Sequence, residues 1–139
     1  MKMVTYYIDA NVFIFAALSD DKKAQTAKEI IKKAILGEIT AITSCLTIDE
    51  VIWKIWKETK DRNIAIEEGL KILQFDNLEI VGIDAKIMKT AVSMMKIYKT
   101  LKPRDAIHAA TAQSNSASIL VSDDPDFDVL TEIKRKALE

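Results

Sequence analysis

Five carboxylates stand where the chain changes character: Asp9, Glu50, Asp105, Asp124 and Asp126. Asp9 directly follows the β-forming run Val4-Thr5-Tyr6-Tyr7-Ile8, at a point where a strand entering a core ordinarily avoids charge. Taken singly, the others have ordinary explanations. Thr47-Ile48-Asp49-Glu50 has the spacing of a capping box. Asp105 suits the positive end of a helix opened by Pro103. The acids from Asp123 to Asp128 read as a solvated turn. Taken together they mean something else. Two like charges about 4 Å apart repel by roughly 4 kcal/mol at an effective dielectric of 20, so three or four converging carboxylates need protons or a cation. Oxygen donors without a neighbouring Cys/His set select a hard ion, Mg²⁺ or Mn²⁺, rather than zinc. Such a site holds a phosphate, which reconciles an acidic pocket with a polyanionic substrate.

Other acidic motifs fail against the letters. A haloacid-dehalogenase-type phosphatase wants Asp two residues after its nucleophile, and the chain has Asn11. An EF-hand beginning at Asp124 wants Gly and Glu where Val129 and Arg135 stand. No Gly-rich phosphate-cradling loop is present, which argues against a nucleotide hydrolase.

The elements that must position these acids emerge from apolar periodicity. Short β-rich runs at 4–8, 39–44, 78–83 and 118–121 read as strands. Asp9-Ala10-Asn11 reads as a turn. Helical spacing runs from a cap at Ser19-Asp20-Asp21 to a Gly37 stop, from Thr47 through Trp56, from Asn63 to Phe75, from Asp84 to Tyr98 and from Pro103 onward. The tail from Thr131 to Glu139 reads as a short helix. Strands separated by helices imply β-α-β crossovers, and hence an α/β/α sandwich around a mainly parallel sheet of four to five strands. The functional crevice of such a sheet lies beyond the carboxyl ends of its strands, where Asp9, Glu50, Asp105 and Asp124 fall.

Composition agrees with one globular domain spanning 1–139. The 139 residues are 49% apolar and 29% charged, with three glycines and two prolines. That excludes disorder, collagen-like repeats and a turn-dense all-β sandwich. A net charge of -1 gives no bulk positive field, so any nucleic-acid binding must be local. The single Cys45 excludes an internal disulfide and reads as a small core residue in a reducing compartment. No window approaches the 18 apolar residues that span a bilayer, and the first apolar run is too short for a signal peptide. A soluble cytoplasmic protein is expected.

Four segments in this order resemble the PIN domain, in particular the VapC-type toxin ribonucleases. They are Ile8-Asp9-Ala10-Asn11-Val12-Phe13, the acid at Glu50, the run Arg104-Asp105-Ala106-Ile107-His108-Ala109-Ala110-Thr111-Ala112, and Leu120-Val121-Ser122-Asp123-Asp124-Pro125-Asp126-Phe127. The likeness covers about 4 to 130. It implies a Mg²⁺- or Mn²⁺-dependent endoribonuclease with a parallel five-stranded sheet between helices. Asp9, Glu50, Asp105 and Asp124 match the family's catalytic, metal-holding quartet, Asp126 its additional acid, and Asn11 and Ser122 its supporting polar residues. In the family the metal activates a water for in-line attack on a phosphodiester. Ala10 departs from the Ser or Thr often found there. The register of Ser122, Asp124, Asp126 and Phe127 favours Asp124, and a slip of one residue transfers its role to Asp123.

Lys99, Lys102 and Arg104 form a basic approach to Asp105, suited either to gripping an RNA backbone or to a solvated helix junction. His108, three residues after Asp105, reads as a hydrogen-bonded structural histidine rather than a ligand. Trp53 and Trp56 read as core or as a dimer interface rather than as base-stacking residues. The resemblance implies an RNA substrate, a second copy of the chain and a VapB-type antitoxin as partners. The competing readings are a non-catalytic PIN-like module that binds RNA or protein, a housekeeping Mg²⁺-dependent nuclease, and a Mg²⁺-dependent phosphohydrolase of small substrates.

Overall fold

In the computed structural model, which describes residues 4–139, five parallel strands form one sheet. They are β1 (Thr5–Ile8), β2 (Thr40–Ser44), β3 (Leu78–Val81), β4 (Ile119–Val121) and β5 (Lys134–Lys136). The order across the sheet is β3-β2-β1-β4-β5, and every neighbouring pair is parallel. Six helices connect them: α1 (Ala10–Leu18), α2 (Lys22–Ile35), α3 (Cys45–Thr59), α4 (Arg62–Leu73), α5 (Ala85–Ile97) and α6 (Pro103–Ser114). The α/β/α architecture expected from the sequence is the one observed.

Alternation along the strands sorts the two cores. Ile8 and Val121 face the layer of Val12, Phe13, Ala27, Ile30, Val51 and Ile55. Their neighbours Tyr7 and Leu120 face Ile87, Ala91, Met94, Ala106, Ala109 and Phe127 on the other side. The helices α1 to α4 therefore cover one face and α5 and α6 the other. The chain crosses from β3 at one edge to β4 on the far side of β1, so the strand order reverses between β1 and β4. That reversal is where open α/β sheets bind ligands.

Several local signals act as read. Asp21 caps α2 by accepting from the Ala24 amide at 2.9 Å, Asp84 caps α5 by accepting from Ile87 at 2.9 Å, and Pro103 begins α6. Gly37 stops α2 with φ of 74°, a left-handed conformation that suits glycine.

Others need correction. Asp9-Ala10-Asn11 is a helix start rather than a turn: Asp9 caps α1, accepting from the Ala10 amide at 2.8 Å. The segment from Val12 to Leu18 has no polar residue, so it carries no helical period to read. Helix α3 starts at Cys45, two residues before Thr47, which puts Glu50 in the second turn and leaves no capping box. The Thr47 hydroxyl instead accepts from Thr43 Oγ1 at 2.7 Å. Cys45 is exposed at this helix start, not part of the core. The tail forms β5, an edge strand, rather than a helix, with Ile133 and Leu138 buried on either side of it.

Phe127 is 1% exposed and anchors the turn that carries Asp124 and Asp126 to the core beneath α6. Replacing it with alanine is expected to cost about 3–5 kcal/mol in urea unfolding followed by circular dichroism. A loss below about 1 kcal/mol would show that the turn is not held this way.

Candidate active site

Four elements deliver one acid each to a single cavity of about 790 Å³ at the carboxyl end of the sheet. Asp9 comes from the end of β1, Glu50 from α3, Asp105 from the first turn of α6 and Asp124 from the turn after β4; all four line the cavity. Asp126 lies beside them, on an adjoining hollow that it shares with Glu50, Asp105, Asp124, Lys102 and Arg104. Carboxylate oxygens of Asp105, Asp124 and Asp126 lie within 4.8 Å of one another, as do ligand atoms of Asp9, Glu50 and His108. Asp123 points elsewhere, pairing with Lys23 Nζ at 2.9 Å.

Ser122 ties the end of β1, the first turn of α1 and the turn after β4 together. Its hydroxyl donates to Asp9 Oδ2 at 2.7 Å and accepts from Asn11 Nδ2 at 3.1 Å and from the Asp124 amide at 3.0 Å. One donor and two acceptor positions are thereby all used. The Asp124 carboxylate in turn accepts from the Asp126 amide at 2.9 Å, which fixes the turn. Asn11 and Ser122 thus join Asp9 to the turn of Asp124, and the Asn11 carbonyl also accepts from the Asp123 amide at 3.4 Å.

A second network lies beneath. His108 is 1% exposed, with Nε2 hydrogen-bonded to Glu50 Oε1 and 3.5 Å from Asp9 Oδ1. A ring nitrogen facing two carboxylates carries its hydrogen and donates to them. Nδ1 meets the Tyr7 hydroxyl at 2.6 Å, and that hydroxyl lies 2.8 Å from Ser44 Oγ. The expected structural histidine is therefore hydrogen-bonded, but inside the site rather than beside it. The roles of Tyr7 and Ser44 were not legible, because both sit within apolar strand runs.

The sequence matches the PIN domain over residues 6–133. This chain belongs to the PIN domain family. No curated protein sequence matches it significantly. Among solved structures, VapBC2 from Rickettsia felis, bound to a DNA fragment from their promoter, matches with a TM-score of 0.75 at 15% identity, covering 96% of this chain and 98% of that one. VapC20 of Mycobacterium tuberculosis, a sarcin-ricin loop cleaving toxin, gives 0.73 at 15% identity over 93% and 98%. VapBC-1 from nontypeable Haemophilus influenzae gives 0.71 at 17% identity over 97% and 98%. At these identities the likeness is one of fold.

Electrostatics in this PIN domain carry the mark of crowded carboxylates. Burial, then the charges of Asp124, Asp9 and Asp126, push Asp105 up to about 6 despite the opposing pull of His108. An acid placed only to favour a helix N-terminus would be expected to shift the other way. Asp9, 7% exposed, is also raised, first by burial and then by Glu50, against the stabilising effects of His108, Ser122 and the Ala10 amide. Burial alone would lower His108, but its hydrogen bond to Glu50 and the charges of Asp9, Glu50 and Asp105 outweigh it and raise its pKa. The donor set is mostly oxygen, preassembled and short of positive charge, and it fits a hard divalent cation.

Trp53 and Trp56 are 56% and 39% exposed, so the reading of them as core is corrected. Trp53 also lines the cavity of the acids, three residues after Glu50 on the same helix. Among the described residues no helix is long and apolar enough to cross a membrane.

Replacing Ser122 by alanine leaves the Asn11 amide and the buried Asp9 carboxylate short of a partner. A loss of roughly 1–3 kcal/mol is expected in urea unfolding. Acidity should act in the opposite sense. Asp105 holds its proton to about pH 6, above its ordinary 3.8, so the metal-free protein gains stability as pH falls through 6. His108 adds to this, since a raised base stabilises below its ordinary 6.5 and the gain is lost as pH rises through the folded value. Calorimetric melting temperatures are expected to be higher at about pH 5.5 than at about pH 8, with a flatter profile for Asp105→Asn. A melting temperature that falls on acidification over this range would contradict the assignment.

Proposed function

We propose that this PIN domain is a metal-dependent endoribonuclease, the toxin component of a VapBC-type toxin–antitoxin pair. One observation carries the reading: four acids from four separate elements line one cavity at the point where the strand order of the sheet reverses. The identities of its structural neighbours, VapBC complexes and a sarcin-ricin loop cleaving toxin, support it.

Asp9, Glu50, Asp105 and Asp124 would hold Mg²⁺ or Mn²⁺, with Asp126 as an additional ligand. When bound, such a cation lowers the pKa of a water and offsets charge on the attacked phosphate and leaving oxygen. The chain's own residues supply the rest. Ser122 and Asn11 fix the Asp9 carboxylate and the turn of Asp124 relative to each other. His108 holds Glu50 from below, with Tyr7 behind it. Lys102 and Arg104, exposed on the rim beside Asp105, would contact backbone phosphates flanking the cut. A second copy of the chain and a VapB-type antitoxin are the protein partners this reading carries.

The test compares the purified protein with its Asp9→Asn variant on a mixed structured RNA, with Mg²⁺, with Mn²⁺ and with chelator, mapping new ends. Internal cuts that require metal and fall roughly 100-fold or more in the variant are expected. Metal-dependent cutting that survives in Asp9→Asn would overturn the assignment. Binding without cutting by the native protein would favour a non-catalytic module instead.

A further inference from the structure

The cavity of the acids does not end at Glu50. It continues between α1 and α3, where Ile14, Phe15, Leu18 and Trp53 form its wall. Trp53 follows Glu50 by three residues of α3, a rise of about 4.5 Å that sets it beside the acids on the same helix face. Its indole is 56% exposed, a large apolar surface left to water at the mouth of a polar site. The ring is nonetheless held: it meets Trp56 edge-on, with centroids 5.9 Å apart and planes at 79°. Trp56 in turn lies 5.6 Å from the guanidinium of Arg62. An aromatic surface fixed before the ligand arrives loses little freedom on binding.

Charge on the rim favours a nucleic-acid strand over an apolar protein segment as the occupant. Arg104 lines the same cavity and makes no ion pair among the described residues. Lys54 also lines it, paired at 3.0 Å to the exposed Glu58 of the same wall, a weak surface pair that a phosphate can replace. Cations at the edge, a flat ring in the wall and carboxylates suited to a phosphodiester cation at one end match the parts of a single nucleotide.

We propose that Trp53, with the wall of Ile14, Phe15 and Leu18, is a subsite that stacks one unpaired nucleobase of the RNA adjoining the phosphodiester held at the acids. It rests on the ribonuclease reading above. A base can reach the ring only when it is out of a duplex, so the subsite selects loops and single strands over paired RNA.

The test uses Asp105→Asn protein, which should bind without cutting, together with a single-stranded oligoribonucleotide and its duplex. In a Trp56→Phe background Trp53 is the sole tryptophan, so quenching of its emission reports contact with the base. The single strand is expected to quench and the duplex not to. Trp53→Ala should weaken single-strand binding roughly 5- to 150-fold, with Trp53→Phe retaining most of the affinity and duplex binding unchanged. Trp53→Gln, which keeps a helix-forming side chain, serves should the alanine variant fold poorly. Cleavage by the otherwise native protein in Mn²⁺ separates the two failures. If that protein cuts RNA but loss of Trp53 changes neither affinity nor strand preference, as expected of a patch that takes a protein segment, the subsite is overturned and the nuclease stands. If it neither cuts nor binds RNA, both fall.

Discussion

Mutual repulsion among Asp9, Asp105 and Asp124 is the constraint around which the rest of this protein is arranged. Carboxylates crowded into one cavity oppose folding unless they are protonated, hydrogen-bonded or neutralised, and the structure supplies hydrogen bonds and a histidine. Ser122 commits every hydrogen-bonding position of its hydroxyl to residues of the site. The imidazole of His108 supplies buried positive character under Glu50 and Asp9. A deficit of positive charge is left over, expressed in the raised pKa values of Asp9 and Asp105. A site in this condition is strained in favour of a cation, since a metal-free protein retains the repulsion that binding would relieve.

Topology makes the crowding possible. Each acid stands at or near the start of a segment leaving the carboxyl end of the sheet, and the reversal of strand order between β1 and β4 brings Asp9 beside Ser122. The ladder continues one step past the strands, with the Asp9 amide donating to the Val121 carbonyl at 3.0 Å. Position in the sheet, rather than loop conformation, therefore fixes the two residues on which the polar network hangs. Rigid placement of this kind suits a site whose ligands must meet within a fraction of an ångström.

Much of this was legible in the sequence. An acid directly after an apolar run marked Asp9, the register of the family resemblance chose Asp124 over Asp123, Pro103 marked the helix start that carries Asp105, and the alternation of strands and helices gave a parallel sheet. The parts that stayed hidden share a cause. Helix α1 is apolar along most of its length, because it is wedged between α2, α3 and the sheet, and an unbroken apolar run has no period. Lys134-Arg135-Lys136 lacks the composition of a strand; it pairs at an edge, held by β4 and by Arg135 donating to the Ser122 carbonyl at 3.1 Å. The hydrogen bond from His108 to Glu50 joins residues on separate helices. No local spacing announces it, since it depends on how α3 and α6 meet over the end of the sheet.

The most direct test of the central claim is to locate the ion. Crystals of the native protein grown with Mn²⁺ should show anomalous density among the carboxylate oxygens of Asp9, Asp105 and Asp124, with the Ser122 and His108 hydrogen bonds retained. Well-ordered crystals with no anomalous density there at saturating Mn²⁺, or with the ion bound away from these acids, would contradict the account.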